Sequence, residues 1–243
     1  MANTILLVFE GEKREPKIFE SIHKYFFQNN QSAVIHASYN AEIYQLYKMI
    51  EDDTYLDILE LLRERSDENK LNLSGINRDD ISQIYLFFDY DNQATGATDE
   101  KIERMLKLFN EETENGKLFI SYPMVESIKH FNKNGSSCLA TCSVPLSVMQ
   151  YKNLVSEISS FGDLRKTDIY DWKYITVQTV KKANCIVNDS HKKPEYAEFI
   201  KINQKVIFEN QLEKFIPHQR IAVLSGIPLF IVDYFGEKLY KTL

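Results

Sequence analysis

The chain has 243 residues, 44% of them hydrophobic and 26% charged, with a formal net charge of −6. That length holds one large domain, or one domain with a sizeable extension, and the composition is that of an ordinary soluble globular protein. The acidic balance excludes a surface coated for non-specific nucleic-acid binding, but not a nuclease whose acidic centre is offset by local Lys and Arg.

In chain order, residues 5–9 (Ile-Leu-Leu-Val-Phe) form a short, continuous apolar run, the pattern of a fully buried parallel strand. Pro16 suits the first turn of a helix over 16–29 that turns Ile18, Phe19, Ile22, Tyr25 and Phe26 inward. Ser32 to Ala37 reads as a second strand. Residues 41–65 are helical in pattern, with Asp52-Asp53-Thr54 as a candidate interruption, and residues 66–80 are polar and loop-like. A third buried strand covers 83–88. After a small-residue loop at 92–98, Thr98 or Asp99 caps a helix to about Glu112. Lys117 to Ser121 is the fourth strand, and Tyr122-Pro123 turns from it into a helix carrying Glu126, Lys129 and His130.

This alternation predicts an α/β fold with a mainly parallel four-stranded sheet flanked by helices. Residues 136–180 read ambiguously, 194–214 read as helix, and 219–240 read as one or two buried helices bent near Pro228. The expected organisation is a domain at 1–131 and a mainly helical C-terminal extension at 132–243, rich in aromatics such as Tyr170, Trp172, Phe208 and Phe230 that should be mostly core.

No apolar run reaches the roughly 18 residues of a membrane span; the longest, Ile221 to Phe235, is interrupted by Ser225-Gly226, Pro228 and Asp233. The first residues carry a strand pattern rather than a signal peptide, so a cytoplasmic location is the expectation. Cys138, Cys142 and Cys185 lack zinc-type spacing. Cys138 and Cys142 would share a helix face, either as a metal or redox pair or as structural thiols. Lys181-Lys182 and His191-Lys192-Lys193 are basic spots that read most simply as solvated loops.

Two acidic turns carry the chemistry. Glu10-Gly11-Glu12-Lys13 follows the first strand, and Asp89-Tyr90-Asp91 follows the third. Ligands of open α/β sheets bind outside the carboxyl ends of the strands, so Glu10, Asp89 and Asp91 should converge if those strands are neighbours. In extended chain Tyr90 points away and both Asp carboxylates face one side. Three hard oxygen donors suit Mg²⁺ or Mn²⁺. The simpler readings are a strand terminator or helix cap for Glu10 and an Asx turn for the Asp pair. Glu126, Lys129 and His130 stand at i, i+3 and i+4, one helix face, where a carboxylate, an ammonium and an imidazole can bind metal, hold phosphate and carry a proton. A surface salt bridge is the alternative there.

Strand-Glu10-Gly11 followed by strand-Asp89-x-Asp91 resembles a TOPRIM (topoisomerase–primase) domain. Within that group, Phe9-Glu10-Gly11-Glu12-Lys13-Arg14-Glu15-Pro16 resembles the start of RloB-like proteins, and Tyr122-Pro123-Met124-Val125-Glu126-Ser127-Ile128-Lys129-His130-Phe131 resembles their Pro-x-x-Glu and His-Phe segment. The likeness covers residues 4–131 and departs at Phe9, where Val is more common. RloB-like and OLD-family TOPRIM proteins are nucleases or presumed nucleases of bacterial antiphage systems, often paired with an ATPase. The resemblance implies that Asp89 and Asp91 bind the divalent ion and that Glu10 serves acid–base chemistry or binds metal.

The combined expectation is a Mg- or Mn-dependent endonuclease acting on DNA or RNA, tRNA among the candidates, as the toxic effector of an antiphage system. Glu10, Asp89 and Asp91 hold metal, with Glu126 and Glu12 as further candidate ligands. Lys129 and Lys13 meet phosphate, and His130 carries a proton or contacts phosphate. The alternatives are a non-catalytic TOPRIM-fold regulatory or toxin subunit held by an ATPase partner, and a primase-like nucleotidyl transferase. No Gly-x4-Gly-Lys-Ser/Thr run is present, which argues against P-loop ATP hydrolysis by this chain.

Overall fold

The computed structural model describes residues 4–28, 32–52, 57–131, 143–147 and 150–243. Cys138 and Cys142 lie outside these residues, as does most of the expected interruption near residue 53. The chain divides into two compact units, Met1–Leu118 and Phe119–Leu243.

The first unit is built on a mainly parallel sheet. Strands β1 (Thr4–Phe9) and β2 (Ala33–Ser38) pair in parallel, and β3 (Ile81–Asp89) pairs in parallel with the other side of β1. Residues Ile5 to Phe9 are fully buried, which a strand achieves only when both faces are covered. Phe9 and Phe87 stack at 5.5 Å beneath Phe19 of α1 (Arg14–Ile22), while Phe88, one residue on, meets Tyr39 on the opposite face.

The sheet has five strands, in the order β2-β1-β3-β5-β4, where four were expected. The additional strand β4 is only Asn110–Glu111, antiparallel to β5 (Gly116–Ser121). Two exposed polar residues carry no alternation for a sequence pattern to register. They also shorten the preceding helix, α5, which Thr98 caps and which ends at Leu108 rather than Glu112. Gly116 has φ +118°, and a Cβ there would meet Leu86 Cδ1 at 2.6 Å and Ile84 Cγ2 at 3.1 Å, so the hairpin enters the sheet only with glycine.

The 41–65 stretch forms α2 (Ile43–Asp52) and α3 (Ile58–Arg65). The stretch expected as loop holds a helix, α4 (Asp67–Asn72), started by the Ser66 hydroxyl accepting from the Asn69 amide at 3.1 Å. Asn69 is buried, and its side chain bonds both the N–H and the C=O of Ser38, fastening this short polar helix to β2. That burial of a polar side chain is why hydropathy missed the helix.

In the second unit, β6 (Ser143–Pro145) pairs antiparallel with β7 (Arg220–Ala222), and helices make up most of the rest. The longest is α7 (Ile169–Asn188), capped by Asp168. Lys181 and Lys182, expected in a solvated loop, belong to α7, and Lys182 is buried. The 194–214 helix is two pieces, α8 (Tyr196–Phe199) and α9 (Gln204–Lys214), because Asn203 starts a new helix by accepting from Val206 N–H. The 219–240 stretch begins as strand β7 and becomes α10 (Gly226–Tyr240), whose break is at Gly236 (φ +63°), not Pro228. Pro228 lies in the first turn, where its missing N–H is not needed. Trp172, Phe208 and Phe230 are core, whereas Tyr170 is exposed.

Candidate functional site

The first unit gathers acids at one end of its sheet. The chain leaves β1 toward β2 on one side and later returns to place β3 on the other, so the carboxyl ends of β1 and β3 flank the point where strand order reverses. Crevices at such points are where α/β sheets bind ligands. Glu10 follows β1 and its amide donates to Phe87 C=O at 3.0 Å, so it continues the ladder for one more bond. Its carboxylate then turns across the crevice: the Asp89 amide donates to Glu10 Oε2 at 2.9 Å.

The surroundings of Glu10 are hostile to charge. Burial pushes its carboxyl up to about 7, opposed by the Asp89 N–H and reinforced by the negative charges of Glu15, Asp91 and Glu42. Glu15 is buried in the first turn of α1, and its Oε2 stands 3.4 Å from where a Cβ on Gly11 would lie, an ordinary contact distance. Asp91 Oδ1 accepts from the Gln93 amide at 3.0 Å, so at least one of its oxygens serves an Asx turn. Tyr90 is buried and its hydroxyl donates to Asp99 Oδ1 at 2.7 Å. Glu12 is exposed and accepts from Asn40 Nδ2, and Lys13 is exposed at the N-cap of α1.

Sequence reasoning named Glu10, Asp89 and Asp91 but missed Glu15, Glu42, Tyr44 and Asp99. Glu42 lies on the connection after β2, four residues past Ser38, whereas Glu10 directly follows Phe9. The Asn40 amide donates to Glu10 C=O at 2.8 Å, fastening that connection beside the site. Asp99 was read only as a cap alternative to Thr98.

The donor chemistry fits a hard divalent cation, because Glu10, which burial and neighbouring carboxylates cause to hold a proton to about 7, would be relieved by one. Among the described residues, no three Asp, Glu, His or Cys side chains already stand as a ligating group.

The second unit holds Glu126, Lys129 and His130, and does not join them on one face. Val125–Lys129 winds as a 3₁₀ helix with His130 outside it, so the i, i+4 geometry of an α-helix is absent. Glu126 is buried with Lys152 Nζ at 3.9 Å from Oε1. Lys129 Nζ donates to Gly162 C=O at 2.6 Å, and His130 Nδ1 lies 2.8 Å from the Tyr151 hydroxyl. Burial, helped by the Lys182 charge, brings the His130 imidazole down to about 4, so it is neutral at pH 7. Lys182 Nζ donates to His130 C=O at 3.0 Å and sits 4.0 Å over the Phe131 ring. A neutral imidazole bonded to a phenol can accept or pass a proton but offers phosphate no charge.

No family model, curated protein or solved structure matches the chain. The likeness to TOPRIM domains therefore stands on the two acidic turns and the 122–131 run alone. Among the described residues, no helix is long and apolar enough to cross a membrane.

Proposed function

We propose that the chain is a Mg²⁺- or Mn²⁺-dependent nuclease of the TOPRIM kind, hydrolysing DNA or RNA as the effector of an antiphage system. The observation that carries this reading is the Glu10 carboxylate held across the β1–β3 crevice by the Asp89 amide, inside a group of acids that keeps its proton affinity near neutral. Glu10, Asp89 and Asp91 would hold the ion, with Glu15 and Glu42 adding charge around it. A bound ion supplies Lewis-acid activation of water and stabilises charge on the leaving oxygen. Glu10, with a proton affinity near the working pH, is matched to taking a proton from an attacking water or returning one to the leaving group. Lys13, exposed beside the crevice at the start of α1, meets substrate phosphate. Within the second unit, Lys129 is proposed as a phosphate contact and His130 as a proton carrier.

With a net charge of −6, the chain draws little on electrostatic capture of nucleic acid. Modest activity in isolation and control by a protein partner are the expectation, an ATPase being what the resemblance implies, and co-purification from the native host tests partner control. The decisive assay is cleavage of labelled DNA, tRNA and other RNA across a Mg²⁺ and Mn²⁺ titration. Metal-dependent cleavage supports the reading. Metal binding without cleavage favours the non-catalytic subunit, and incorporation of labelled nucleotides favours the primase-like enzyme.

A further inference from the structure

Tyr44 lies in the first turn of α2, two residues after Glu42 of the β2–α2 connection. Its side chain is buried at 5% exposure, and among the described residues its hydroxyl has no hydrogen-bond partner. Tyr39, earlier on the same connection, also has a buried hydroxyl with no partner among the described residues, but the charge beside it is that of Arg65, 4.0 Å from its ring centre. Two other tyrosines nearby are satisfied. The Tyr90 hydroxyl donates to Asp99, and the Tyr47 hydroxyl donates to Glu51 Oε1 at 3.0 Å while accepting from Arg104 at 2.8 Å. What sets Tyr44 apart is an unpartnered buried hydroxyl among acids: the charges acting on it are those of Asp99, Asp91, Glu42 and Glu10. Burial together with those four carboxylates holds the phenol above its ordinary range, so it stays a donor at any working pH. A buried donor among acceptors, with no acceptor in bonding range, is a costly state for the fold to retain.

We propose that Tyr44 is a positioning residue of the acid cluster: when a divalent cation draws the carboxylates together, the Tyr44 hydroxyl donates to one of them and fixes its orientation as a ligand. This rests on the metal-dependent reading of the same site. Groups that orient metal ligands typically contribute 10–100-fold to metal affinity. The bond forms only in the loaded state, so its loss shows in metal binding and not in the stability of the metal-free chain.

The test compares the full chain with Tyr44→Phe by calorimetric titration with MgCl₂ and MnCl₂, alongside melting of the metal-free proteins. The expected result is saturable binding by the wild type, affinity about tenfold or more weaker in Tyr44→Phe, and a metal-free melting temperature that is unchanged or raised. Equal affinity in the two proteins overturns the proposal while leaving the metal site standing. A lowered metal-free melting temperature in Tyr44→Phe also overturns it, since the hydroxyl would then have a partner already. A folded wild type that binds neither ion removes the metal-dependent reading itself and this proposal with it.

Discussion

The Asp89 amide donates to Glu10 Oε2 at 2.9 Å, tying the last residue of β3 to the carboxylate after β1 across the reversal point of the sheet. The bond stabilises the ionised form of Glu10, yet burial and three neighbouring carboxylates outweigh it and leave the group titrating at about 7. The site therefore carries a crowded negative charge that a proton relieves, and that the proposed cation would relieve in the same way.

That strain sets a pH dependence. The folded value of Glu10 lies above its ordinary 4.5, so the folded state binds this proton more tightly than the unfolded chain. Its contribution to stability is fully present below the unfolded value and is lost as pH rises through about 7. Glu10→Gln keeps an acceptor for the Asp89 amide and removes the charge. Metal-free Glu10→Gln should be more stable than wild type at about pH 8, by on the order of 2 kcal/mol after allowing for partial solvation, and equal to it near pH 4. Urea denaturation at the two pH values checks this, and no pH-dependent difference would contradict the electrostatic account.

Asp89→Ala retains the main-chain N–H that holds Glu10 and removes only the carboxylate. It should lose about 100-fold or more of metal-dependent cleavage while still melting cooperatively. Full activity in this variant would exclude the proposed mechanism.

Much of this site was legible because buried parallel strands advertise themselves. Ile5–Phe9 and Ile84–Phe88 are apolar without interruption, and the acids that end them fall at the carboxyl edge by construction. Glu42 and Tyr44 escaped because β2 is partly exposed and they lie several residues beyond its end, so the sequence marks them weakly. Asn69 hid α4 by burying an amide where a pattern expects an apolar residue, and the two-residue β4 is below what alternation can show. Around Glu126 the expected shared helix face is absent, because 3₁₀ winding sends Glu126, Lys129 and His130 to different partners.

Gly116→Ala tests the hairpin that brings β5 into the sheet. Its Cβ would lie 2.6 Å from Leu86 Cδ1 at a backbone angle that favours glycine. The variant should lose roughly 2–3 kcal/mol by chemical denaturation. A neutral result would show that β3 and β5 have slack at this point.

Gln211 tests the second unit independently. Fully buried on α9, it donates to Ala222 C=O at 2.8 Å and accepts from Ala222 N–H at 2.9 Å, completing the backbone bonding of β7. Gln211→Leu leaves both groups buried and unpaired and should cost roughly 2–4 kcal/mol. A loss well below 1 kcal/mol would mean that water replaces the amide.

The most direct measurement of the central claim is anomalous diffraction from crystals soaked in MnCl₂. The account predicts one or more peaks bounded by Glu10, Asp89 and Asp91 at the carboxyl ends of β1 and β3, with oxygen distances of about 2.0–2.6 Å. A fully soaked crystal with no peak there, or with manganese bound only elsewhere, would contradict it.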